Sequence, residues 1–282
     1  MLVQTLHKDG YKIALIAKTL DLNRTYCYSL LLDKPQKERP DKDAEVKQAI
    51  IRICIQFPTY GYRRVTAVLR NRLRRSINRK KVQRIMQEEG LTVPVKERVA
   101  KRTKESGRIP VTRSNEHLQV DMTKVWCGAD GWGYLFAVID AFDREIIGWA
   151  FSQRCTTDIL LEAVDMALNY RFPHGTRDQN LTIRSDNGCQ MTSKRFVKVL
   201  RDCGITHERT GYNNPDANAF IERWFRTLKE EAVWLTEYRD FDEARQDIER
   251  YIQFYNTERL HSALGYCSPA EYRAYLAQQT AA

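Results

Sequence analysis

The chain has 282 residues with a net charge of +10 and a mean hydropathy of −0.56, long enough for one catalytic-sized domain plus smaller modules. With 43% hydrophobic and 29% charged residues it can bury a core under a solvated surface, which excludes wholesale disorder. No apolar run approaches the ~18 residues of a membrane span, and MLVQTLHKDGYK has no secretory pattern, so the expected place is the cytoplasm, with no membrane partner.

Seven scattered cysteines with no C-x-x-C pair, and only five histidines, argue against disulfide frameworks and zinc fingers. Charge is more informative. Residues 1–113 hold 27 Lys/Arg and 11 Asp/Glu, whereas residues 114–282 hold 19 and 25. A basic part joined to an acidic one suits a phosphate binder attached to a site that holds divalent cations.

In chain order, Ile13, Ile16, Ala17 and Leu20 recur at helical spacing. Asp21, Leu22 and Asn23 then interrupt, and Asn23 caps a second helix with Tyr26, Leu30 and Leu31. Residues 1–33 therefore read as a helix-turn-helix with Arg24, Thr25 and Tyr28 near its exposed face, although a plain helical hairpin fits the same pattern. KPQKERPD marks a linker over 34–43. A basic helical domain follows over 44–91: Val46, Ile50, Ile53 and Phe57 form one stripe, Asn78 caps a helix with Val82, Ile85 and Met86, and Gly90 ends it. Its outward bases, Arg63, Arg64, Arg79, Lys80 and Lys81, are candidate phosphate contacts. Residues 92–113 read as a basic linker.

From about 116 the pattern becomes α/β. LQVDMTKVW, GYLFAVID and REIIGWAF read as strands, the last two joined by a tight turn at Ala141–Asp143, and TTDILLEAVDMALNY as a capped helix. LTIRSD, TSKRFVKVLRDC and ITHERT then read as strand, helix and strand. That order suits a ribonuclease-H-like core over 114–236, with a helical extension over 237–282.

Asp121, Asp186 and Glu222 stand where strand and helix ends can collect them, too far apart in sequence for any local loop to do so. Phosphodiester chemistry with two magnesium ions needs such converging carboxylates, because hard oxygen ligands hold Mg²⁺ and leave positions for phosphate and water. Asp140 and Asp143 flank the hairpin turn and Asp202 lies late in a helix, so these read as structural or solvated. His261 reads as a hydrogen-bonded packing histidine, and the five tryptophans as core or interface residues.

Several stretches resemble one family: VDMTKVW, GYLFAVIDAFDREIIGWAFS, IRSDNGCQMTS, GYNNPDANAFIERWFRTLKEE and YIQFYNTERLHSALGYCSPAEY. The chain is similar to insertion-sequence transposases with a retroviral-integrase-like core, most closely the OrfB product of the insertion-sequence-three family. TYGYRRVTAVLR resembles the helical domain that precedes that core. The resemblance implies an α/β, ribonuclease-H-like (retroviral integrase-like) fold with N-terminal all-α helix-turn-helix modules. It implies a DNA transposase that cleaves and joins strands, with Asp121, Asp186 and Glu222 binding two Mg²⁺, Mn²⁺ serving as a substitute. It also assigns Lys229, two helical turns past Glu222, to transposon-end DNA, with Arg226 pairing with Glu222 or touching phosphate. The implied partners are terminal inverted repeats, target DNA, further copies of the chain and an OrfA product, separate or fused. A silent DNA-binding repressor and a nuclease on the same fold are the alternatives. Gly211, Asn214, Pro215 and Asn218 fit the family's loop only loosely, and Leu260 stands where proline is commoner.

Overall fold

The helical signals at the start of the chain resolve into three short helices in the computed structural model, which describes residues 2–31, 43–94, 111–210 and 218–280. Most of the linkers expected at 34–43 and 92–113, and the loop residues Gly211, Asn214 and Pro215, lie outside the described residues. Contacts divide the chain into two compact units, 1–52 and 53–282.

In the first unit, α1 (Leu2–Lys8), α2 (Ile13–Thr19) and α3 (Arg24–Leu31) close around Val3, Ile16, Ala17 and Cys27. The joint forms as the sequence suggests. Asp21 takes a positive φ of 51°, and the Asn23 side chain accepts the Thr25 amide at 2.8 Å, capping α3. Arg24, Thr25 and Tyr28 are exposed. The sequence pattern missed α1, whose seven residues are too few for a clear period.

The second unit begins within α4 (Ala44–Gln56) and continues through α5 (Tyr62–Ala67), which runs into a wider turn at Val68–Arg72, and α6 (Arg79–Glu88). Asn78 caps α6 through the Lys80 amide at 2.8 Å. These helices do not stand apart from the α/β part. Phe57 stacks on Phe254 at 5.9 Å, the Tyr60 hydroxyl accepts the Leu260 amide at 3.0 Å, and Arg72 donates to the Glu258 carbonyl at 2.6 Å. A proline at 260 would have no N–H to give Tyr60.

The sheet has the order β3-β2-β1-β4-β5, built from β1 (His117–Trp126), β2 (Trp132–Asp140), β3 (Ile146–Ser152), β4 (Thr182–Ser185) and β5 (Thr206–Arg209). The first three strands are antiparallel, and β4 and β5 run parallel to β1. This is ribonuclease-H-like topology. Parallel pairing needs long crossovers, supplied by α7 (Thr157–Arg171) and α8 (Lys194–Asp202). Ser193 caps α8 through the Phe196 amide at 3.2 Å, whereas α7, expected to be capped, has Thr156 at its N-cap with no side-chain cap bond.

Strand alternation sends Leu118, Val120, Phe136 and Val138 to one face, where they pack with Leu160, Val164, Phe196 and Leu200 of α7 and α8. The other face, with Val125, Leu135, Ala137 and Ile139, is covered by α9 (Ala219–Glu231) and α10 (Phe241–Thr257). The chain ends in α11 (Pro269–Thr280). Among the tryptophans, Trp224 is buried in this second core, while Trp126, Trp132 and Trp234 are 54%, 51% and 64% exposed and so are not core residues.

Two buried ionic clusters hold the unit together. At the β2–β3 turn, Asp140 accepts the Asn115 and Phe142 amides at 2.7 Å each, and Arg171 reaches Asp143 at 2.9 Å and Glu145 at 2.7 Å. Arg273 of α11 also joins Glu145, so Asp140 and Asp143 are structural. In the second cluster, Glu231 takes two Arg259 N–H groups at 2.6 Å each, the Tyr251 hydroxyl at 2.9 Å and Arg64 at 3.4 Å. Burial alone would raise the Glu231 carboxyl, but the Arg259 hydrogen bonds and charge hold it below the usual range. His261 packs edge-on to Tyr255 at 4.7 Å, and burial, then the charges of Arg259, Arg64 and Arg144, push its pKa down to about 2. Neutral His261 therefore accepts from Arg259 across 3.3 Å and serves packing, as its sequence context suggests. Removing Glu231 strands a buried guanidinium. Glu231→Ala is expected to cost about 3–5 kcal/mol in denaturant unfolding, and Glu231→Gln less.

Candidate active site

Parallel register brings the first two acids together. Along β1 and β4, Leu118 pairs with Ile183 and Gln119 with Arg184. Continuing that register brings Asp186, the first residue past β4, level with Asp121, and adjacent strands lie about 4.8 Å apart. The β1–β4 pairing stops at Gln119, so Asp121 lies where β1 has outrun β4. Asp121 and Gln119 point to the same face, the one covered by α9, whose first turn carries Glu222.

The S-D-N-G motif is a set of tethers for Asp186. Ser185 hydrogen-bonds His207 of β5 at 2.9 Å, Asn187 donates to the Thr210 carbonyl at 2.8 Å, and the Gly188 amide donates to Asp186 Oδ1 at 2.9 Å. A Cβ on Gly188 would lie 3.0 Å from that same oxygen, which is why glycine suits the position. Asp121 Oδ1 accepts the Met122 amide at 2.7 Å. Two of the three carboxylates are thus aimed by backbone N–H groups.

Electrostatics ties the three together. Burial raises the Asp121 pKa, the charges of Asp186 and Glu222 raise it further, and the Met122 amide offsets part, leaving it at about 7. Among the described residues no three His, Cys, Asp or Glu side chains stand close enough to enclose a metal ion as they are. What is present is a donor set of hard oxygens whose mutual repulsion a divalent cation would relieve, so the residues fit such an ion.

The basic candidates separate. Arg63, Arg79, Lys80 and Arg226 are exposed, and Lys81 and Lys229 half-buried; burial lowers the Lys229 ammonium pKa. Arg63 lines a cavity of about 250 Å³ with Gly61, Tyr62, Arg64, Ser262 and Tyr266. Arg64 departs from the expected outward role, because its guanidinium is spent on Glu231 and lies over the Tyr60 ring at 5.1 Å. Arg24 belongs to the other compact unit. Sequence reasoning missed Gln119 and the true task of Asn218. The signal was there: a glutamine in β1, on the same face as Asp121 and two residues before it, needs a partner once buried.

Burial of Asp121, with the charges of Asp186 and Glu222 added to it, has a cost in the fold. A carboxyl whose folded pKa is raised weakens the fold once pH exceeds its unfolded value, and the penalty levels off above the folded one. Without divalent ions, Asp121→Asn should therefore be more stable than the unsubstituted protein at pH 8, by roughly 2–4 kcal/mol. The difference should shrink as pH falls below about 7 and vanish near the ordinary aspartate value, as read by thermal melts across pH.

The family described as integrase core domain matches residues 111–215, a second of the same description matches 203–269, and an HTH-like domain matches 40–99. The chain is 32% identical over 246 residues to the putative transposase InsK for insertion sequence element IS150 of Escherichia coli strain K12, covering 83% of this chain and 85% of that protein. It is 28% identical over 279 residues to the transposase InsD for insertion element IS2A/D/F/H/I/K of Escherichia coli, covering 93% and 91%. Among solved structures, the HTLV-2 integrase catalytic core domain in complex with magnesium superposes with a TM-score of 0.42 at 15% identity, covering 56% of this chain and 95% of that one. The BIV integrase catalytic core does so at 0.41 and 18%, covering 59% and 97%. With a 32%-identical relative matched over most of its length, a helix-turn-helix-like module and an integrase core behind it, the chain belongs to the insertion-sequence-three family of bacterial transposases.

Proposed function

We propose that the chain binds the terminal inverted repeats of its own mobile element and cleaves and joins DNA strands at Asp121, Asp186 and Glu222. The observation that carries this reading is the parallel register that brings Asp186 level with Asp121, beside the helix that bears Glu222. Two divalent ions, Mg²⁺ or in its place Mn²⁺, would be held by Asp121 with Asp186 and by Asp121 with Glu222. When bound they supply Lewis-acid activation of water or a DNA 3′-hydroxyl and neutralise charge on the phosphorane oxygens.

The chain's own groups do the rest. The Met122 and Gly188 amides keep the Asp121 and Asp186 carboxylates oriented before substrate arrives. Arg226 and Lys229 extend along α9 from Glu222 and would hold phosphates of the scissile strand, Lys229 about 10 Å along the axis. Arg63, Arg79, Lys80, Lys81 and, in the first unit, Arg24 would carry bulk DNA affinity. Arg79, Lys80 and Lys81 occupy the first turn of α6, where the helix dipole disfavours cations by about 0.3–1 kcal/mol, so an anion there relieves both. The family resemblance supports assembly of several copies on DNA, together with an OrfA product, separate or fused.

Asp121→Asn, Asp186→Asn and Glu222→Gln should each abolish strand cleavage in Mg²⁺ and in Mn²⁺ while leaving DNA affinity close to normal. Cleavage by any of the three would remove that residue from the site. In the unsubstituted protein, cutting without joining would indicate a nuclease, and binding without cutting a repressor. Lys229→Ala should slow end cleavage at saturating DNA more than it weakens binding, and Lys229→Arg should be milder; equal, normal rates for both would make Lys229 an ordinary surface base.

A further inference from the structure

An α-helix leaves its first N–H groups without intrahelical partners, and the residue at its N-cap normally satisfies one with a side-chain oxygen. Asn218 occupies the N-cap of α9 and is of a favoured type, yet it makes no side-chain cap. Its side-chain Nδ2 instead donates to the Val120 carbonyl of β1 at 3.2 Å. The capping is done from another element. Gln119 Oε1, on β1, accepts the amides of Phe220 and Ile221 at 3.0 and 3.1 Å, and Gln119 is 4% exposed.

These three bonds bracket Asp121 and Glu222. Gln119 and Val120 immediately precede Asp121 in the strand, and Ile221 immediately precedes Glu222 in the helix. The catalytic acids of strand and helix are therefore joined through a short hydrogen-bonded bridge rather than through the chain between them, part of which lies outside the described residues. We propose that Gln119 is a positioning residue that caps α9 from β1 and thereby sets the placement of Glu222 relative to Asp121. The proposal rests on the reading of Glu222 as a catalytic acid. Gln119 takes no part in the chemistry itself; its oxygen fixes where the helix begins, and a misplacement of about 1 Å can cost on the order of 10²-fold in rate.

The test uses the full chain with Gln119→Met, which keeps length and loses the acceptor, and Gln119→Glu, which keeps an oxygen for both amides. Amide hydrogen exchange is read without divalent ions, and strand cleavage in Mg²⁺ on a duplex taken from the flanks of the protein's own gene. The Met variant should expose the Phe220 and Ile221 amides at least about tenfold and slow cleavage on the order of 10²-fold. Its DNA affinity and the exchange of the β1–β2 amides should stay normal, and the Glu variant should recover both protection and cleavage. Unchanged protection in the Met variant, loosened amides with normal cleavage, or restored protection without restored cleavage would each overturn the proposal. If the Met variant does not fold, exchange in the unsubstituted protein decides: unprotected Phe220 and Ile221 amides would overturn it, and slow exchange at both would support it. Glu222→Gln separates the two levels. Cleavage by that variant would overturn the reading of Glu222, whereas an inactive Glu222→Gln beside a normal Gln119→Met would overturn only the role of Gln119.

Discussion

A buried carboxylate, Asp121, that feels the charges of Asp186 and Glu222 has to be held in place by a fold that gains nothing from it. Asp121 shows the strain, its pKa raised to about 7 by burial and by Asp186 and Glu222. The sheet supplies the restraint. Hydrogen bonds between β1 and β4 are paired in a fixed register, and a slip by one residue would turn Asp121 or Asp186 to the opposite face. The apolar layers under α7 and α8 on one side and α9 and α10 on the other make such a slip expensive, because every inward side chain would turn outward with it. Stability bought in the cores is what permits an unfavourable charge cluster at their margin.

Much of this was legible in the residues. Alternation located β1, β2 and β3 within a residue or two, and the Ser, Asp, Asn and Gly of the 185–188 motif marked a turn that must hold an acid in place. Asn78 and Asn23 cap as their positions suggest, because capping depends only on a local oxygen and an amide two or three residues on. Thr156 and Asn218 look equally suited and do not cap. In the case of Asn218, the competing partner is a carbonyl on a strand about a hundred residues earlier.

Long-range ionic pairing was the least legible part. Arg64 reads as one more base in a run of them, and nothing near it names Glu231 as its partner. Glu231 in turn ends a run of charged residues, Lys229 to Glu231, in which nothing local sets it apart. Only the folded chain brings Arg64, Tyr251 and Arg259 around that carboxylate and His261 against Arg259, and only there does His261 become a group that stays neutral near three guanidinium groups. Composition gave the sign of the two halves, but the division of labour between individual bases depends on which of them the acids have already taken.

Helix α9 is seated at both ends. Its first turn is received by Gln119 on the central strand, and its last residue, Glu231, is gripped by Arg259 and Arg64. The two seats lie ~16 Å apart along the axis. A rod fixed at one end can swivel; a rod fixed at two can neither roll nor slide unless one seat gives way. Arg64 belongs to the basic helices that precede the sheet, so the pair ties one of those helices to the far end of the helix whose first turn carries Glu222.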